Sequence, residues 1–200
     1  MADYTAIVEA GNGIVELLRD RMVPEPIGKR DLISLCSPYE SENNQLTVYL
    51  FHIEEDQRNP ERGGYIPQSG DVQRMAPSRF QLSFLITAHS KAPAQMREAD
   101  QYRMLGAALQ ILKDSPVLER KYLQGSLLEA GAQPHIMVER PNYDQMVKIW
   151  NNTNKPYKLS LVCRLEGITI DSKRVRTVGR VADVAISVDE KPHAREGGRG

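Results

Sequence analysis

The stretch FQLSFLITAH, residues 80–89, has the clearest strand pattern in the chain. Apolar side chains occupy every second position: Phe80, Leu82, Phe84, Ile86 and Ala88. The positions between them are mostly polar: Gln81, Ser83, Thr87 and His89. Because successive side chains of a strand point to opposite faces, this alternation predicts a strand that is buried on one face only.

Three other segments within residues 1–171 have strand patterns. Residues 45–54, QLTVYLFHIE, are nearly all apolar or β-forming, which predicts a strand covered on both faces. Residues 157–170 form the longest strand pattern, and one face carries Leu159, Leu161, Cys163 and Leu165. Residues 135–139, HIMVE, add a short strand. These strands would share one sheet.

Two long helices are indicated by apolar residues at helical spacing. The first covers residues 3–23, with Asp3 as the candidate N-cap and Pro24 ending the pattern. Within it Gly11 and Gly13 oppose helix formation, and either close packing against a neighbour or a kink would explain them. The second helix begins at Pro93 and ends before Ser115, and its wide apolar stripe predicts a well-buried helix.

A short third helix is predicted over residues 141–150. Asn142 and Gln145 have the spacing of a capping box, in which each side chain bonds to the backbone of the other residue. Together the elements predict an α+β fold with a mixed, mainly antiparallel sheet of about four to six strands, packed with two long helices and one short one. A chain of 200 residues is long enough for one sizeable core, so one domain is expected.

The charge balance limits the classes of partner. Lys plus Arg (26) equals Asp plus Glu (26), so no net field attracts the chain to nucleic acid or to an anionic membrane. The first residues, MADYTAIVEAG, lack the pattern of a secretory signal, and no apolar run approaches the ~18 residues of a membrane span. We expect a cytoplasmic protein that recognises partners by shape.

The sequence contains no common catalytic, phosphate-binding or metal-binding motif, so no catalytic residue, cofactor or metal is predicted. Cys36 and Cys163 are each isolated in apolar sequence and are expected to be buried thiols. The histidines are widely separated: His52, His89, His135 and His193. Glu54 and Asp56 lie on one face of a strand end, which favours a solvated end over an acid pair in a small-molecule site.

Residues 58–79, RNPERGGYIPQSGDVQRMAPSR, are rich in Gly, Pro and charge and form a connection much longer than usual. Loops of this length usually either bind something or are disordered, and the first alternative is favoured here. Tyr65, Ile66 and Met75 give the segment apolar anchor points. We therefore predict a structureless arm that contacts a partner or a neighbouring subunit.

Residues 172–188 alternate again, which predicts a strand that either closes the chain's own sheet or extends the edge of another subunit. One face carries Arg174, Arg176 and Arg180 with Val178, and the other carries Val175. Asp171 and Asp183 flank the arginines and no aromatic residues interleave, so nucleic-acid binding is disfavoured. An intermolecular contact is the preferred function. Residues 189–200 are polar and Gly-rich, as in a disordered tail.

Several strings, in order along residues 1–175, resemble the tail-terminator, or cap, proteins of phage-tail-like contractile injection systems. This group includes the antifeeding prophage and the Photorhabdus virulence cassettes. The strings are MADYTAIVEAGNGIVELLRD, DLISLCSP, LTVYLFHIEE, FQLSFLITAHS, YRMLGAALQIL, LQGSLL and MVKIWNNTNKPYKLSLVCRLEGITIDS. None of them is a catalytic motif, so their number and order carry the resemblance.

The resemblance implies a non-enzymatic subunit of a hexameric ring that ends inner-tube polymerisation and anchors the terminal sheath layer. Its partners would be further copies of the chain, the inner tube protein and the sheath protein. The particle would be released or remain in the cell. Residues 1–171 would form the terminator-like domain, residues 172–188 a strand extension that contacts a neighbouring subunit or the sheath, and residues 189–200 the disordered tail. The alternative is a baseplate or tube-initiation subunit of the same machine.

Overall fold

The computed structural model describes residues 2–39, 43–58, 63–151 and 156–178. The helices in these ranges are α1 (Ala6–Met22), α2 (Ala94–Asp114), α3 (Gly125–Glu129) and α4 (Tyr143–Asn151). The strands in the same ranges are β1 (Ile33–Leu35), β2 (Leu46–Glu55), β3 (Tyr65–Ser69), β4 (Val72–Met75), β5 (Ser78–Ala88), β6 (His135–Val138), β7 (Ser160–Ile170) and β8 (Val175–Thr177). None of the described helices is long and apolar enough to cross a membrane.

Five strands form the main sheet in the order β1-β2-β5-β7-β6. All neighbours are antiparallel except β1 and β2, which run parallel. Phe84 of β5 lies opposite Leu50 of β2 on one side and Cys163 of β7 on the other. The predicted α+β fold with a mixed, mainly antiparallel sheet is confirmed, and so are the four strand segments predicted for this sheet.

The burial of two strands differs from the sequence-based prediction. β5 is buried on both faces, since its polar side chains Gln81, Ser83 and Thr87 are buried as well as its apolar ones. β2 is the opposite case, because its second half, with His52 and Glu54, is exposed. β5 lies at the centre of the sheet with a strand on each side, whereas β1 pairs only with Leu46–Val48 and leaves the second half of β2 at an edge.

Helices α1 and α2 cover one face of the main sheet and form the principal core with it. The buried side chains of α1 include Ala6, Ala10, Ile14, Leu17, Leu18 and Met22. The helix ends before Pro24, as predicted, but it begins at Ala6 and its N-cap residue is Thr5. Asp3 lies two residues before that position, where its carboxylate accepts hydrogen bonds from the backbone N–H and the hydroxyl of Thr5.

Close packing against neighbouring elements accounts for the glycines of α1. A Cβ atom at Gly11 would lie 2.9 Å from Leu35 Cδ1 and 3.3 Å from Phe84 Cε1. At Gly13 it would lie 2.6 Å from Leu118 Cδ2. The two glycines let the helix backbone approach the sheet and the 116–123 segment to distances that side chains would prevent.

Helix α2 begins after Pro93, as predicted, but it is not buried along its whole length. Its buried residues, Met104, Leu105, Ala108 and Leu112, all lie in the second half. Met96 is 64% exposed and Tyr102 is 52% exposed. Only the second half of this helix packs on the sheet, so the apolar side chains of the first half reach solvent.

Helix α4 covers part of the opposite face of the sheet. Its predicted capping box is confirmed, since Asn142 N donates to Gln145 Oε1 (3.0 Å) and Gln145 N donates to Asn142 Oδ1 (2.8 Å). Met146 and Trp150 pack on the sheet in a second, smaller cluster with Leu85 and Val162. This helix therefore gives the sheet a partly covered second face.

Helix α3, which the sequence pattern did not reveal, is held by a carboxylate from α1. Glu9 is only 8% exposed. Its carboxylate accepts hydrogen bonds from the backbone N–H groups of Ser126 (3.1 Å) and Leu127 (2.9 Å). Burial acts to raise the pKa of Glu9, but the hydrogen bonds from Thr5, Leu127 and Ser126 outweigh it and hold the pKa below its usual range.

Candidate functional site on an accessory sheet

The described part of the 58–79 segment, residue 58 and residues 63–79, is not the structureless arm that its composition predicted, while residues 59–62 lie outside the described residues. Within this range, residues 65–75 form a hairpin in which β3 and β4 pair in antiparallel fashion. Gly70 takes the left-handed backbone conformation at the turn (φ +55°), which few residues other than glycine adopt readily. The Gly and Pro content that predicted a loop reflects a tight turn and an edge strand.

The hairpin is joined by β8 to give a second sheet, the accessory sheet, in the order β3-β4-β8. Arg174 O accepts from Met75 N–H (2.8 Å), and Val178 N–H donates to Asp71 O (2.8 Å), at the two ends of the β4–β8 pair. Of the two alternatives for residues 172–188, the structure supports the internal one for residues 175–177. Residues 179–188, with Arg180, and the predicted tail at 189–200 lie outside the described residues.

One face of the accessory sheet has an ordered arginine. Arg176 lies opposite Gln73 and donates from Nε (3.1 Å) and Nη2 (2.9 Å) to Gln73 Oε1. Its guanidinium carbon lies 3.9 Å from the ring centroid of Tyr65, in a cation–π contact. Met75 lies opposite Tyr65, and Arg174 is bonded to the Met75 backbone. This face, the arginine face, therefore presents the Arg176 guanidinium against the Tyr65 ring.

The other face is partly apolar. Arg74 lies on the middle strand, β4, and is paired with Ile66 on β3 and with Val175 on β8. The three side chains therefore share this face. The Arg74 guanidinium pairs with Asp171 at 3.4 Å. Val175 is 57% exposed and Val178, just after β8, is 37% exposed. All the predicted contact residues within the described ranges are thus brought onto or beside this small sheet.

The accessory sheet has two outer strands. β3 carries Pro67, which lacks a backbone N–H and so weakens that edge as a template for another strand. Along β8 every second residue directs its backbone N–H and C=O groups towards the hairpin. The Arg174 carbonyl and the Val178 N–H make hydrogen bonds of this kind at the two ends. The N–H groups of Val175 and Thr177 therefore point to the outer edge. The geometry allows β8 to accept one further antiparallel or parallel strand.

Sequence reasoning missed Gln73 and Asp171 as parts of this site. Gln73 was an unremarked residue of a loop, and Asp171 was interpreted as a charge that opposes the arginines. Arg176 and Gln73 are 103 residues apart in the chain. Neither residue type nor spacing indicates the contact, because only the pairing of β8 with β4 brings the two together.

The acids of the small-molecule alternative do not form a pair. Asp56 accepts from the backbone N–H (3.0 Å) and Nε (3.2 Å) of Arg58, which hold the pKa of Asp56 below its usual range. Glu54 is exposed and lines a separate groove of about 650 Å³ between α4 and the sheet. In the described ranges, no three His, Cys, Asp or Glu side chains converge as metal ligands.

The two cysteines are free thiols. Cys163 is buried in the main core, and burial raises its pKa to about 12. Cys36 is only half-buried, so the prediction of a buried thiol is confirmed for Cys163 and is wrong for Cys36. Cys36 directly follows β1, which is an edge strand of the main sheet, whereas Cys163 is on β7, which has a strand on each side.

The fold is that of the tube-terminating caps of contractile injection systems. One solved structure, the PVC sheath/tube terminator of an extracellular contractile injection system in its extended state, matches 96% of this chain with a TM-score of 0.61 and 15% identity. The anti-feeding prophage cap, a tube-terminating cap, matches 90% with a TM-score of 0.53 and 17% identity. The chain spans 66% and 61% of the lengths of these two proteins.

The sequence also matches the family model of the Pvc16 N-terminal domain over residues 9–183. The chain belongs to the Pvc16 N-terminal domain family. A comparison with curated proteins gave no match.

Proposed function

We propose that this chain is a cap subunit of a contractile injection system, which ends polymerisation of the inner tube and anchors the terminal sheath layer. The likeness of its fold to the sheath/tube terminator over 96% of the chain carries this proposal. Family membership over residues 9–183 supports it independently. A purely structural role needs no active site, so the proposal includes no reaction and no cofactor.

We assign the subunit to a closed ring of copies of the same chain, six in number as the resemblance implies. A cyclic ring requires each copy to present two different surfaces that fit each other. The chain offers exposed apolar side chains for such contacts, with Met96 and Tyr102 on α2 and Tyr4 and Val8 at the start of α1. The ring would assemble in the cytoplasm as part of a particle that is released or retained.

The accessory sheet is our candidate for the sheath contact. Its outer strand β8 directs the backbone N–H groups of Val175 and Thr177 away from β4, and no other strand among the described residues pairs with them. An incoming strand gains affinity from such main-chain hydrogen bonds. The arginine face beside it favours an acidic partner segment, because opposite charges across an interface speed association and fix orientation. The inner tube would then contact another part of the ring.

The first experiment tests the cap role. Particles made by cells that lack this chain should carry tubes of irregular length when viewed by negative-stain microscopy, and the intact chain should restore uniform length. Cryo-electron microscopy of particles with a labelled chain should place it at the end distal to the baseplate. A label at the baseplate end would instead support the tube-initiation alternative, and particles of normal length without the chain would reject the cap role.

The second experiment tests β8 as the sheath contact. Thr177→Pro removes an outward N–H but leaves the hydrogen bonds to β4 in place, whereas Thr177→Val keeps that N–H and serves as the matched control. We expect the proline variant to form rings that no longer retain sheath in a pull-down, while the valine variant retains it. Equal retention by both variants would rule out strand addition at this edge.

The stoichiometry is tested separately. Mass photometry of the purified chain, alone and with inner tube protein, should give a species of six subunits. A species of another defined size would exclude the hexamer without affecting the fold, while a monomer under both conditions would reject ring formation.

A further inference from the structure

A basic pocket lies at the end of the main sheet opposite the accessory sheet. It has a volume of about 260 Å³ and is formed where β2 begins, β5 ends and β7 begins. Its lining residues are Asn44, His89, Ser90, Lys91, Arg97, Gln101 and Lys158. Three of them, Lys91, Arg97 and Lys158, carry basic side chains, and no acid is among the described residues of the lining.

These cations are not neutralised by the described part of the chain. The ion pairs in that part include other arginines and lysines, such as Arg103 with Glu25, but none of the three pocket cations. The nearby carboxylate of Asp100 accepts a hydrogen bond from Ser90 Oγ. Three cations that line one pocket, with no ion-pair partner among the described residues, repel one another, and a bound anion would offset that cost.

One of the cations is held in position by a buried hydrogen-bond chain. Lys158 Nζ lies 3.2 Å from His89 Nδ1. Because an ammonium group only donates, Nδ1 accepts, and His89 Nε2–H donates to Thr47 Oγ1 at 3.1 Å. Thr47 Oγ1 in turn donates to the Thr87 carbonyl. His89 and Thr47 are buried, so the ammonium group is oriented at the pocket wall before any ligand arrives.

The surroundings of His89 keep its imidazole neutral. Burial and the nearby Lys158 lower the pKa of His89 to about 4. Burial also lowers the pKa of Lys158 itself. An anion bound beside Lys158 would oppose the field of the ammonium group, so the imidazole provides a built-in spectroscopic reporter of occupancy.

We propose that this pocket binds an oxyanion, a carboxylate or an inorganic dianion, held by Lys91, Arg97 and Lys158. The forked guanidinium of Arg97 matches two oxygen atoms of such a group, and the two ammonium groups supply point charges. Gln101 adds amide donors on the same wall. The pocket volume suits a single acidic side chain or a free ion the size of sulfate.

The test uses sulfate, which remains a dianion throughout the pH range in which His89 titrates. The His89 ring resonances of the full chain are followed by NMR as sulfate replaces chloride at constant ionic strength. We expect a saturable shift of these resonances and a rise of the His89 pKa by roughly one unit. Arg97→Gln, at an exposed position that should not disturb folding, and Lys158→Met should weaken sulfate binding at least tenfold.

Lys113→Gln is the matched control, since it removes an exposed cation from the other end of α2. This variant should bind sulfate as the unmodified chain does. A shift that rises linearly with sulfate, or one that is equal in Arg97→Gln and Lys113→Gln, would show general screening only and would overturn the proposal.

The source of the oxyanion is decided by particle mass. If the carboxylate belongs to another copy of the chain, saturating sulfate and Arg97→Gln should both convert oligomers to smaller species in sedimentation velocity. If the ligand is a free ion, sulfate binds with no change in mass. Both outcomes require the saturable site, and its absence rejects both.

Discussion

The guanidinium of Arg176 lies 3.9 Å from the ring centroid of Tyr65, and this contact joins the two segments of the chain that sequence analysis had marked separately as partner contacts. Gln73, on the middle strand β4, holds the Arg176 side chain in place by accepting two hydrogen bonds from it. The relationship makes the hairpin and β8 one unit, so that a change at either residue should alter the contact surface as a whole.

The first prediction concerns this pair. Tyr65→Leu and Arg176→Met should each destabilise the accessory sheet, and a double-mutant cycle should give a coupling of about 0.5–1 kcal/mol, as expected for an exposed cation–π contact. The measurement is hydrogen exchange of the Val178 amide, which donates to Asp71 O. Lys173→Met, at a neighbouring exposed position, is the control and should leave this exchange rate unchanged. Strictly additive effects of the two substitutions would exclude a direct interaction.

The second prediction contrasts two helical glycines. Gly13→Ala should destabilise the protein by about 1–3 kcal/mol, because the new Cβ would lie 2.6 Å from Leu118 Cδ2 and 3.3 Å from the Tyr122 carbonyl oxygen. Gly106→Ala, in α2, should stabilise it by up to about 1 kcal/mol, since alanine favours the helix and nothing lies within 4 Å. Urea unfolding measures both. Effects of the same sign would contradict the close packing of α1.

The third prediction concerns the link between α1 and α3. Gly125 has φ +54°, and a Cβ there would lie 2.3 Å from Glu9 Oε1. Gly125→Ala should therefore lower the free energy of unfolding by the backbone strain, about 1–2 kcal/mol, and further by the cost of displacing the buried Glu9 carboxylate. Gly131→Ala, with φ +63° and open space around it, should cost the strain alone. Equal losses in thermal or urea unfolding would mean that Glu9 does not depend on this close approach.

The fourth prediction is a pH dependence. The pKa of His89 is about 4 in the folded chain, against 6.5 for an ordinary histidine. Between these pH values the unfolded chain binds a proton that the folded chain does not. The contribution of His89 to the free energy of unfolding is therefore fully present above pH 6.5 and is lost as the pH drops towards 4. The loss should be roughly 1–2 kcal/mol after allowance for solvent screening. His89→Gln should abolish the slope in this window, as measured by urea unfolding at each pH.

The pKa of Glu9 is lowered, and this group adds a second loss at a different pH. Its contribution is present above the ordinary carboxyl value of 4.5 and disappears as the pH falls through the folded-state pKa. Glu9→Gln should flatten the curve below pH 4.5 and leave the His89 window intact. The two variants therefore separate the two titrations, and a common effect on both windows would contradict the assignment.

The elements that sequence patterns predicted well are those whose cause is local. The capping box of Asn142 and Gln145 is formed within one helical turn, and Pro93 and Pro24 mark the limits of α2 and α1 for local steric reasons. The alternation of residues 80–89 likewise gave β5 the correct type. The prediction that this strand is buried on one face only was wrong, because its polar residues, such as Gln81 and Thr87, are covered by elements that are distant in the sequence.

Turn-rich sequence was the main source of error. In residues 58–79 the Gly and Pro residues were taken as signs of a loop, but the hairpin uses them for its turn and for an edge strand. Helix α3 was missed because five residues are too few to establish a helical period, and a carboxylate from α1 holds its first turn. Both elements depend on contacts with remote segments.

The sequence by itself determined the α+β class, the long strands and helices and the resemblance to terminator caps, because hydrophobic periodicity and local backbone preferences are properties of short segments. Only the tertiary structure decided that β8 pairs with β4 and that Tyr65 meets Arg176. It also decided that Lys91, Arg97 and Lys158 line one pocket. Such pairings arise from chain closure over many residues, and no local pattern specifies which surfaces then face each other.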